Sequence, residues 1–288
     1  MGYGWLIYTK STLNGKFKDN AFDWFRETAL KYDIHLKIFF KEDLSIENGD
    51  VLKIKNNNVE IALPDFVFMR TSDLVLSTQL NLLNIPIFND YSNMQQAKNK
   101  LITSQKLRAA NITTPNFFYT NNHNYVQISD FFNNESFVMK DNEGSQGEGV
   151  YLIQNEDEFL QALNLLSGEI MYQEFIGTSY GKDIRVYLLG NKIVGAIKRL
   201  SKDGFKSNYS LGGSAISCEL DTKLIELATK ASFVSGLDFC GLDVLLLEDG
   251  YTICEINGSA GFRAISSVTD VDIVDEICKY INVKIYKK

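Results

Sequence analysis

The pattern of apolar residues changes character near residue 90, and that change limits the folds open to these 288 residues more than any other feature. Before it, short apolar runs alternate with stretches of helical spacing. Trp5 to Thr9 reads as an apolar strand, and Asn20 precedes a helix with Phe22, Phe25, Ala29 and Leu30 on one face. His35 to Phe40 alternates as a second strand, Leu36, Ile38 and Phe40 on one side. Val51 to Ala62 predicts a hairpin whose tip lies in Asn56-Asn57-Asn58, and Asp65 to Arg70 and Ile87 to Asn89 predict two more strands. Strands separated by helices need crossover connections, so this part predicts an open, mostly parallel sheet.

Beyond the change the chain is richer in strands. Ser92-Asn93-Met94-Gln95 has the form of a capping box and predicts a helix to about Ala110, ended by Asn111 and Pro115. Phe117 to Thr120 and Phe137 to Lys140 read as strands. Asn155-Glu156-Asp157-Glu158 is a second capping box, with Phe159, Leu160, Leu163 and Leu166 at helical spacing and Gly168 as the stop. Ile170 to Ile176, Asp183 to Leu189 and Lys192 to Leu200 follow as strands, the last two joined by a Gly190-Asn191 turn. Asp221 to Ser235 predicts an amphipathic helix stopped by Gly236; Gly241 to Leu247 and Tyr251 to Ile256 predict a hairpin around Glu248-Asp249-Gly250. The expected segments are an α/β domain over 1–91, a small middle lobe over 92–176 and an antiparallel lobe over 177–288.

Composition narrows the function. Lys plus Arg is 29 against 36 Asp plus Glu, a net charge of −7, which argues against wholesale binding to nucleic acid or an anionic membrane. The start shows no basic n-region or A-x-A site, so no signal peptide is expected. No apolar run approaches the roughly 18 residues of a membrane-spanning helix. Cys218, Cys240, Cys254 and Cys278 include no C-x-x-C pair, and His35 and His123 stand alone, so neither a zinc centre nor a histidine-based nucleophile is expected. These features predict a cytoplasmic protein with reduced thiols.

Three groups of residues carry chemistry. Gly144, Gly147 and Gly149 lie between two strands in the run Glu143 to Val150, where backbone N–H groups can approach phosphate oxygens without a Cβ in the way. The run lacks the Gly-Lys-Ser/Thr of a Walker loop and does not open a helix as a dinucleotide fingerprint does. A flexible hairpin tip accounts for the glycines equally well, but Lys140 just before them suits a phosphate. Asp243, Glu255 and Asn257 form the second group: a hairpin brings Asp243 alongside Glu255 and Asn257, which share a face, and three oxygen ligands suit Mg²⁺. The third is the basic set Arg185, Lys198, Arg199 and Lys206, followed by Ser207 and Asn208; it either balances nearby carboxylates or neutralises a transferring phosphoryl group.

In order, Lys100, Lys140, EGSQGEGV (Glu143 to Val150), QEFI (Gln173 to Ile176), KDIRV (Lys182 to Val186), AIKRL (Ala196 to Leu200), KSN (Lys206 to Asn208), LGG (Leu211 to Gly213), GLDV (Gly241 to Val244) and CEING (Cys254 to Gly258) resemble the ATP-grasp superfamily. Within it the chain resembles the RimK-like carboxylate–amine ligases, which include the ribosomal-protein glutamate ligase. The resemblance runs from about residue 64 to 275 and more weakly to the N-terminus. It implies an α/β (α+β) ATP-grasp fold with an N-terminal pre-ATP-grasp domain, a small middle lobe and an antiparallel C-terminal lobe.

The same resemblance implies roles. Lys100 and Lys140 would contact the phosphates of ATP, with the loop of Gly144, Ser145, Gln146, Gly147 and Gly149 over them. Backbone groups around Glu174, Phe175 and Ile176 would hold the adenine, and Asp183 the ribose. Lys206, Ser207 and Asn208 stand where the family has Arg-Ser-Asn, so Lys206 lacks a bidentate fork. Asp243, Glu255 and Asn257 would hold Mg²⁺, or Mn²⁺, usually as two ions, and the catalytic pair Arg185 and Arg199 would face the acyl-phosphate centre. The expected reaction joins a carboxylate to an amine through an acyl phosphate, releasing ADP and phosphate. After Asn257 the family continues with a Ser-Pro-Gly-Leu-Glu-like run, whereas this chain has Gly258-Ser259-Ala260-Gly261-Phe262-Arg263. Arg263 could bind a substrate carboxylate or form a surface salt bridge, and the substrate stays open between a small amino acid or metabolite and a peptide or protein tail. Two alternatives are a ligase that crosslinks side chains of a ribosomal precursor peptide and a nucleotide sensor without turnover. Relatives commonly assemble as homodimers or homotetramers.

Overall fold

A computed structural model describes residues 1–11, 20–144, 147–202, 204–207 and 213–287. Two compact units share the chain: Met1–Gln95 with Leu237–Phe239 and Asp272–Lys288, and Gln96–Gly236 with Cys240–Val271. The first unit begins with β1 (Gly2–Tyr8), α1 (Asn20–Leu30) and β2 (Ile34–Phe40), followed by a small antiparallel sheet of β3 (Leu44–Asn48), β4 (Leu52–Asn56) and β5 (Val59–Glu60). After β6 (Phe66–Met69), α2 (Leu74–Leu82) and β7 (Ile87–Phe88), α3 (Tyr91–Lys98) leads out. Strands β2-β1-β6-β7 form one sheet in which each neighbouring pair is parallel, as the alternation of strands and helices requires. Trp5, Leu6 and Ile7 of β1 are fully buried, which explains why that strand is apolar throughout instead of alternating.

The second unit holds α4 (Lys100–Ala109), β8 (Phe117–Phe118), α5 (Tyr125–Phe131), β9 (Phe137–Asp141), β10 (Val150–Ile153), α6 (Glu156–Leu165) and β11 (Ile170–Glu174). Its first sheet, β10-β9-β11-β8, is antiparallel and closes over a core of Phe132, Phe137, Phe159 and Tyr172. Then come β12 (Lys182–Leu189), β13 (Lys192–Leu200), β14 (Ser214–Ser217), α7 (Thr222–Ser235), β15 (Phe239–Leu246), β16 (Tyr251–Asn257) and α8 (Arg263–Val268). These strands make a five-stranded sheet in the order β14-β13-β12-β15-β16. Helix α9 (Ile273–Tyr286) belongs to the first unit and packs on α1; its N-cap Asp272 accepts from Asp275 N at 3.0 Å and from Trp24 Nε1 at 3.4 Å. Among the described residues no helix is long and apolar enough to cross a membrane.

Local signals place the turns well. Asn57 and Asn58 have φ of 48° and 66°, and Gly190 and Asn191 have 52° and 66°, the left-handed pairs that two-residue hairpin turns need. Gly236 ends α7 at φ 67°, ψ 10°. Other expectations need correction. The single helix from Ser92 to Ala110 is two, because Asn99 is extended (φ −82°, ψ 104°) and its side chain caps α4 by accepting from Ile102 N at 2.9 Å. Ser92 is not a cap: the Asp90 carboxylate takes the amides of Ser92 at 2.8 Å and Asn93 at 3.4 Å. Helix α6 starts at Asn155 as expected, but Glu158 accepts from Gln154 N, and the helix ends at Leu165 with Leu166 extended, before Gly168. Leu30 and Leu160, expected on buried faces, are about half exposed; in β2 Leu36 is buried as expected, but Phe39 is buried in place of Ile38 and Phe40. Helix α2 gave no periodic signal because apolar residues lie all round it: Leu76 and Leu80 are buried while Leu74, Val75 and Leu82 are exposed.

Candidate active site

One face of the five-stranded sheet carries an ionic network. Asp183 and Arg185 are two apart on β12 and share a face; Arg199 on β13 lies directly opposite Asp183. On the adjacent β15, Asp243 pairs in register with Glu255 of β16, and Asn257 is two residues further on. Arg185 grips Asp243 bidentately, Nε to Oδ1 and Nη2 to Oδ2, both at 2.6 Å. Arg199 forks onto both oxygens of Asp183 and also reaches Asp243 Oδ2 at 3.0 Å. Asn257 Nδ2 donates to the same oxygen at 3.3 Å, which turns the Asn257 carbonyl oxygen outward as a spare acceptor.

These contacts set the charges. Burial raises the pKa of Asp243, but the adjacent Arg185 and Arg199 outweigh it and hold the group at about 2. Asp183 moves the other way, because burial and the charge of Asp243 outweigh its single guanidinium. Glu255 is also pushed up, first by burial and then by Asp243, against the pull of Lys100 and Lys140. No described residue donates a hydrogen bond to the Glu255 carboxylate. A half-buried carboxylate of this kind, beside a second one and an amide oxygen, fits a hard divalent cation such as Mg²⁺. Among the described residues no cluster of three or more His, Cys, Asp or Glu could hold a metal.

A bulge brings the lysines to that set. The register of β15 and β16 shifts after Asp243: Asp243 faces Glu255 but Val244 faces Ile253, leaving Cys254 as the extra residue. Such a bulge re-aims side chains, and Cys254 and Glu255 are both partly exposed in place of strict alternation. Lys140, almost buried at the end of β9, meets Cys254 Sγ at 3.4 Å and Gln173 Oε1 at 2.5 Å. Lys100, in the first turn of α4, places Nζ at 2.5 Å from Gly144 O and 3.2 Å from Asn142 O. Burial lowers the pKa of Lys100, and Lys140 lowers it further, while Glu255 opposes both. Lys100, Lys140 and Glu255 therefore share one electrostatic environment.

The glycine loop links β9 to β10. Its stem is shaped by Asp141, whose Oδ1 takes the amides of Glu143 at 2.9 Å and Gly144 at 3.0 Å. Gly147 and Gly149 have φ of 79° and 64°, which side chains rarely adopt. Gly147 O accepts from Lys206 Nζ at 3.0 Å. Phe205, just before Lys206, packs edge-on to Phe175, which follows Glu174. Glu174 is fixed by a reciprocal pair with Asn116, its carboxylate taking Asn116 N and its own N–H donating to Asn116 O, both at 2.8 Å. Beyond Ile176, Thr178 Oγ1 donates to Leu246 O at 2.6 Å and Ser179 accepts from Leu246 N, tying this connection to β15.

The residues singled out from sequence thus fall into one unit. Ser145, Gln146, Asn208, Leu211 and Gly212 lie outside the described residues. Arg185 and Arg199 are committed to Asp243 and Asp183, and Asp183 spends both oxygens on Arg199. Arg263 is exposed at the start of α8. Sequence reading missed Gln173, Asn142 and Tyr187. Tyr187 donates to Gly261 O at 2.9 Å and so pins the run between Asn257 and Arg263. Gly241 also holds that run: a Cβ there would sit 2.6 Å from Ala260 Cβ. Gly241→Ala is expected to cost about 1–3 kcal/mol of stability, read by chemical denaturation, through this overlap.

A model of the RimK-like ATP-grasp domain matches residues 97–281. The chain belongs to the RimK-like ATP-grasp family. Relatives include the human N-acetylaspartylglutamate synthase A, 27% identical over 272 residues (88% of this chain, 70% of that one). A probable alpha-L-glutamate ligase of Vibrio vulnificus is 32% identical over 210 residues (70% of this chain, 69% of that one). Among solved structures, the ATP-grasp ligase PsnB complexed with a minimal precursor is similar in fold, with a TM-score of 0.72 at 18% identity over 96% of this chain and 98% of that one. These relatives are synthases and ligases, and the mixed α/β architecture with antiparallel sheets is the fold of ATP-grasp ligases.

Proposed function

We propose that this chain uses Mg-ATP to convert a carboxylate into an acyl phosphate and passes the acyl group to an amine, releasing ADP and phosphate. The observation that carries this is Lys140 Nζ set 3.4 Å from Cys254 Sγ, next to Glu255, which is itself in register with Asp243. A carboxylate and a triphosphate repel each other, and they react where fixed positive charge offsets the repulsion. Lys140, held by Gln173 and Cys254, and Lys100, held by two carbonyls, supply such charge without reorganising. Glu255 and the Asn257 oxygen, with the lone pair left on Asp243, would hold Mg²⁺, which when bound shields the phosphate oxygens. Two ions are the family expectation for this set. Arg185 and Arg199 fix Asp243 and Asp183 and keep the Asp243 carboxylate ionised, as a cation ligand requires.

The acyl acceptor is an amino acid or a related small molecule, the substrate class that the names of the curated relatives suggest. A peptide acceptor is the second reading, supported by the fold similarity to a ligase complexed with its precursor. Incubation with Mg-ATP and pools of amino acids, or with short acidic peptides, is expected to release ADP and phosphate only when the correct carboxylate and amine are both present. Tight ATP binding without ADP release from any pool would make the chain a sensor. Arg263→Ala is expected to raise KM for one acidic substrate while leaving KM for ATP unchanged, because Arg263 opens α8 just beyond the run that Tyr187 pins; an unchanged substrate profile would return it to the surface.

A further inference from the structure

Resting on the nucleotide reading of this site, we infer that Asn142 is a positioning residue for ATP: its side-chain amide sets Lys100 against the stem of the glycine loop. Asn142 follows β9 in a connecting segment, where an asparagine ordinarily faces water, yet it is 1% exposed. Every polar group it owns is used. Its Oδ1 accepts from Leu101 N at 3.0 Å, its Nδ2 donates to Glu169 Oε2 at 2.8 Å, and its N–H donates to Glu169 O at 2.9 Å. Its carbonyl accepts from Lys100 N and from Lys100 Nζ, each at 3.2 Å.

The amides of Lys100 and Leu101 belong to the first turn of α4, where helix geometry leaves N–H groups without partners. Asn142 satisfies both. It thereby fixes the start of the helix that carries Lys100, and its own carbonyl shares the ammonium with Gly144 O. The ammonium is held at one edge of the loop that Asp141 shapes, in the environment it shares with Lys140 and Glu255. A shift of about 1 Å in a positioned charge suffices to weaken its interaction with a phosphate by a large factor.

The chemistry asks for an amide specifically. The group must accept from a helix N–H on one side and donate to a carboxylate on the other. Aspartate in its place would still accept from Leu101 N but would set a second carboxylate against Glu169. Glutamine in place of Glu169 restores the missing donor. The charge pattern is then reversed while the bonds are kept, so Asn142→Asp combined with Glu169→Gln tests position separately from fold.

The experiment measures Kd for Mg-ATP by titration calorimetry, together with KM and kcat, on the full chain and on Asn142→Asp, Asn142→Ala and the Asn142→Asp/Glu169→Gln pair. The expected result is a Kd and KM for Mg-ATP raised about tenfold in both single variants, with kcat changed far less, and recovery to within about threefold in the pair. A loss of folded protein alone lowers the active fraction and kcat but leaves the KM of the remaining enzyme unchanged. Single variants within twofold of the wild-type Kd and KM would overturn the role of Asn142 and leave the nucleotide site standing, as would a pair no tighter than Asn142→Asp. Failure of the wild-type chain itself to bind Mg-ATP would overturn the nucleotide reading and this inference with it.

Discussion

Glu255→Gln is expected to lower ligase turnover by at least about 10²–10³-fold and to leave the folded protein as stable as before, or more so. The two outcomes have one cause. Glu255 is a half-buried carboxylate facing Asp243 across the ladder, and no described residue donates to it. Burial and that neighbouring charge hold its pKa above the ordinary value, so its ionised form is disfavoured in the folded chain. A carboxylate with a raised folded pKa destabilises the fold at pH above its unfolded value, and the penalty fades as pH falls through the folded pKa. Glutamine removes the charge and the penalty together. It also removes the oxygen charge that a divalent cation requires. The check has two parts: ADP release in the presence of both substrates, and thermal unfolding with and without Mg-ATP. The wild-type melting temperature is expected to rise with Mg-ATP by mass action, whereas that of the variant rises much less. Turnover at the wild-type rate in Glu255→Gln would remove the residue from the metal set.

Arg199→Met is expected to destabilise the second unit by about 3–5 kcal/mol, the largest stability effect at this site. Methionine keeps most of the volume but withdraws the fork from Asp183 and one donor from Asp243. Asp243 keeps Arg185, so it remains compensated. Asp183 loses its guanidinium partner while buried, with its pKa already raised by burial and by Asp243. Its folded pKa rises further in the variant, which places the deficit at neutral pH and reduces it on acidification as Asp183 takes up a proton. Denaturant unfolding at pH 7 and pH 5 distinguishes this from a packing defect, whose cost is the same at both. A deficit below about 1 kcal/mol, or one independent of pH, would show that the Asp183–Arg199 pair contributes little beyond its volume.

The legible part of this chain was the part encoded locally. Hairpin tips at Asn57-Asn58 and Gly190-Asn191 announce themselves because few residues tolerate a positive φ. A hairpin bringing Asp243 beside this stretch of β16 followed from the turn, and the shared face of Glu255 and Asn257 from the two-residue period of a strand, but the bulge at Cys254 decided that Asp243 faces Glu255. Where competing local signals met, the reading failed: Ser92 offered a cap, but Asp90 took the amides at the start of α3 and Asn99 the one at the start of α4, which splits the helix. Helix α2 was invisible because its apolar residues have no single face to reveal.

Residue order alone determined the strand-and-helix alternation of the first ninety residues, the antiparallel hairpins of the rest, and which residues share a face within β12 and within β16. Those are consequences of period and turn chemistry, which act over a few residues. Tertiary structure decided how the charges are spent. It gave Asp243 to two arginines and left Glu255 without a donor among the described residues, used the bulge at Cys254 to turn that strand toward Lys140, and buried Asn142 as the brace of Lys100. Partners so far apart in sequence are chosen by burial, since a charge or amide withdrawn from water must take whichever complementary group the packed sheets bring within hydrogen-bond distance.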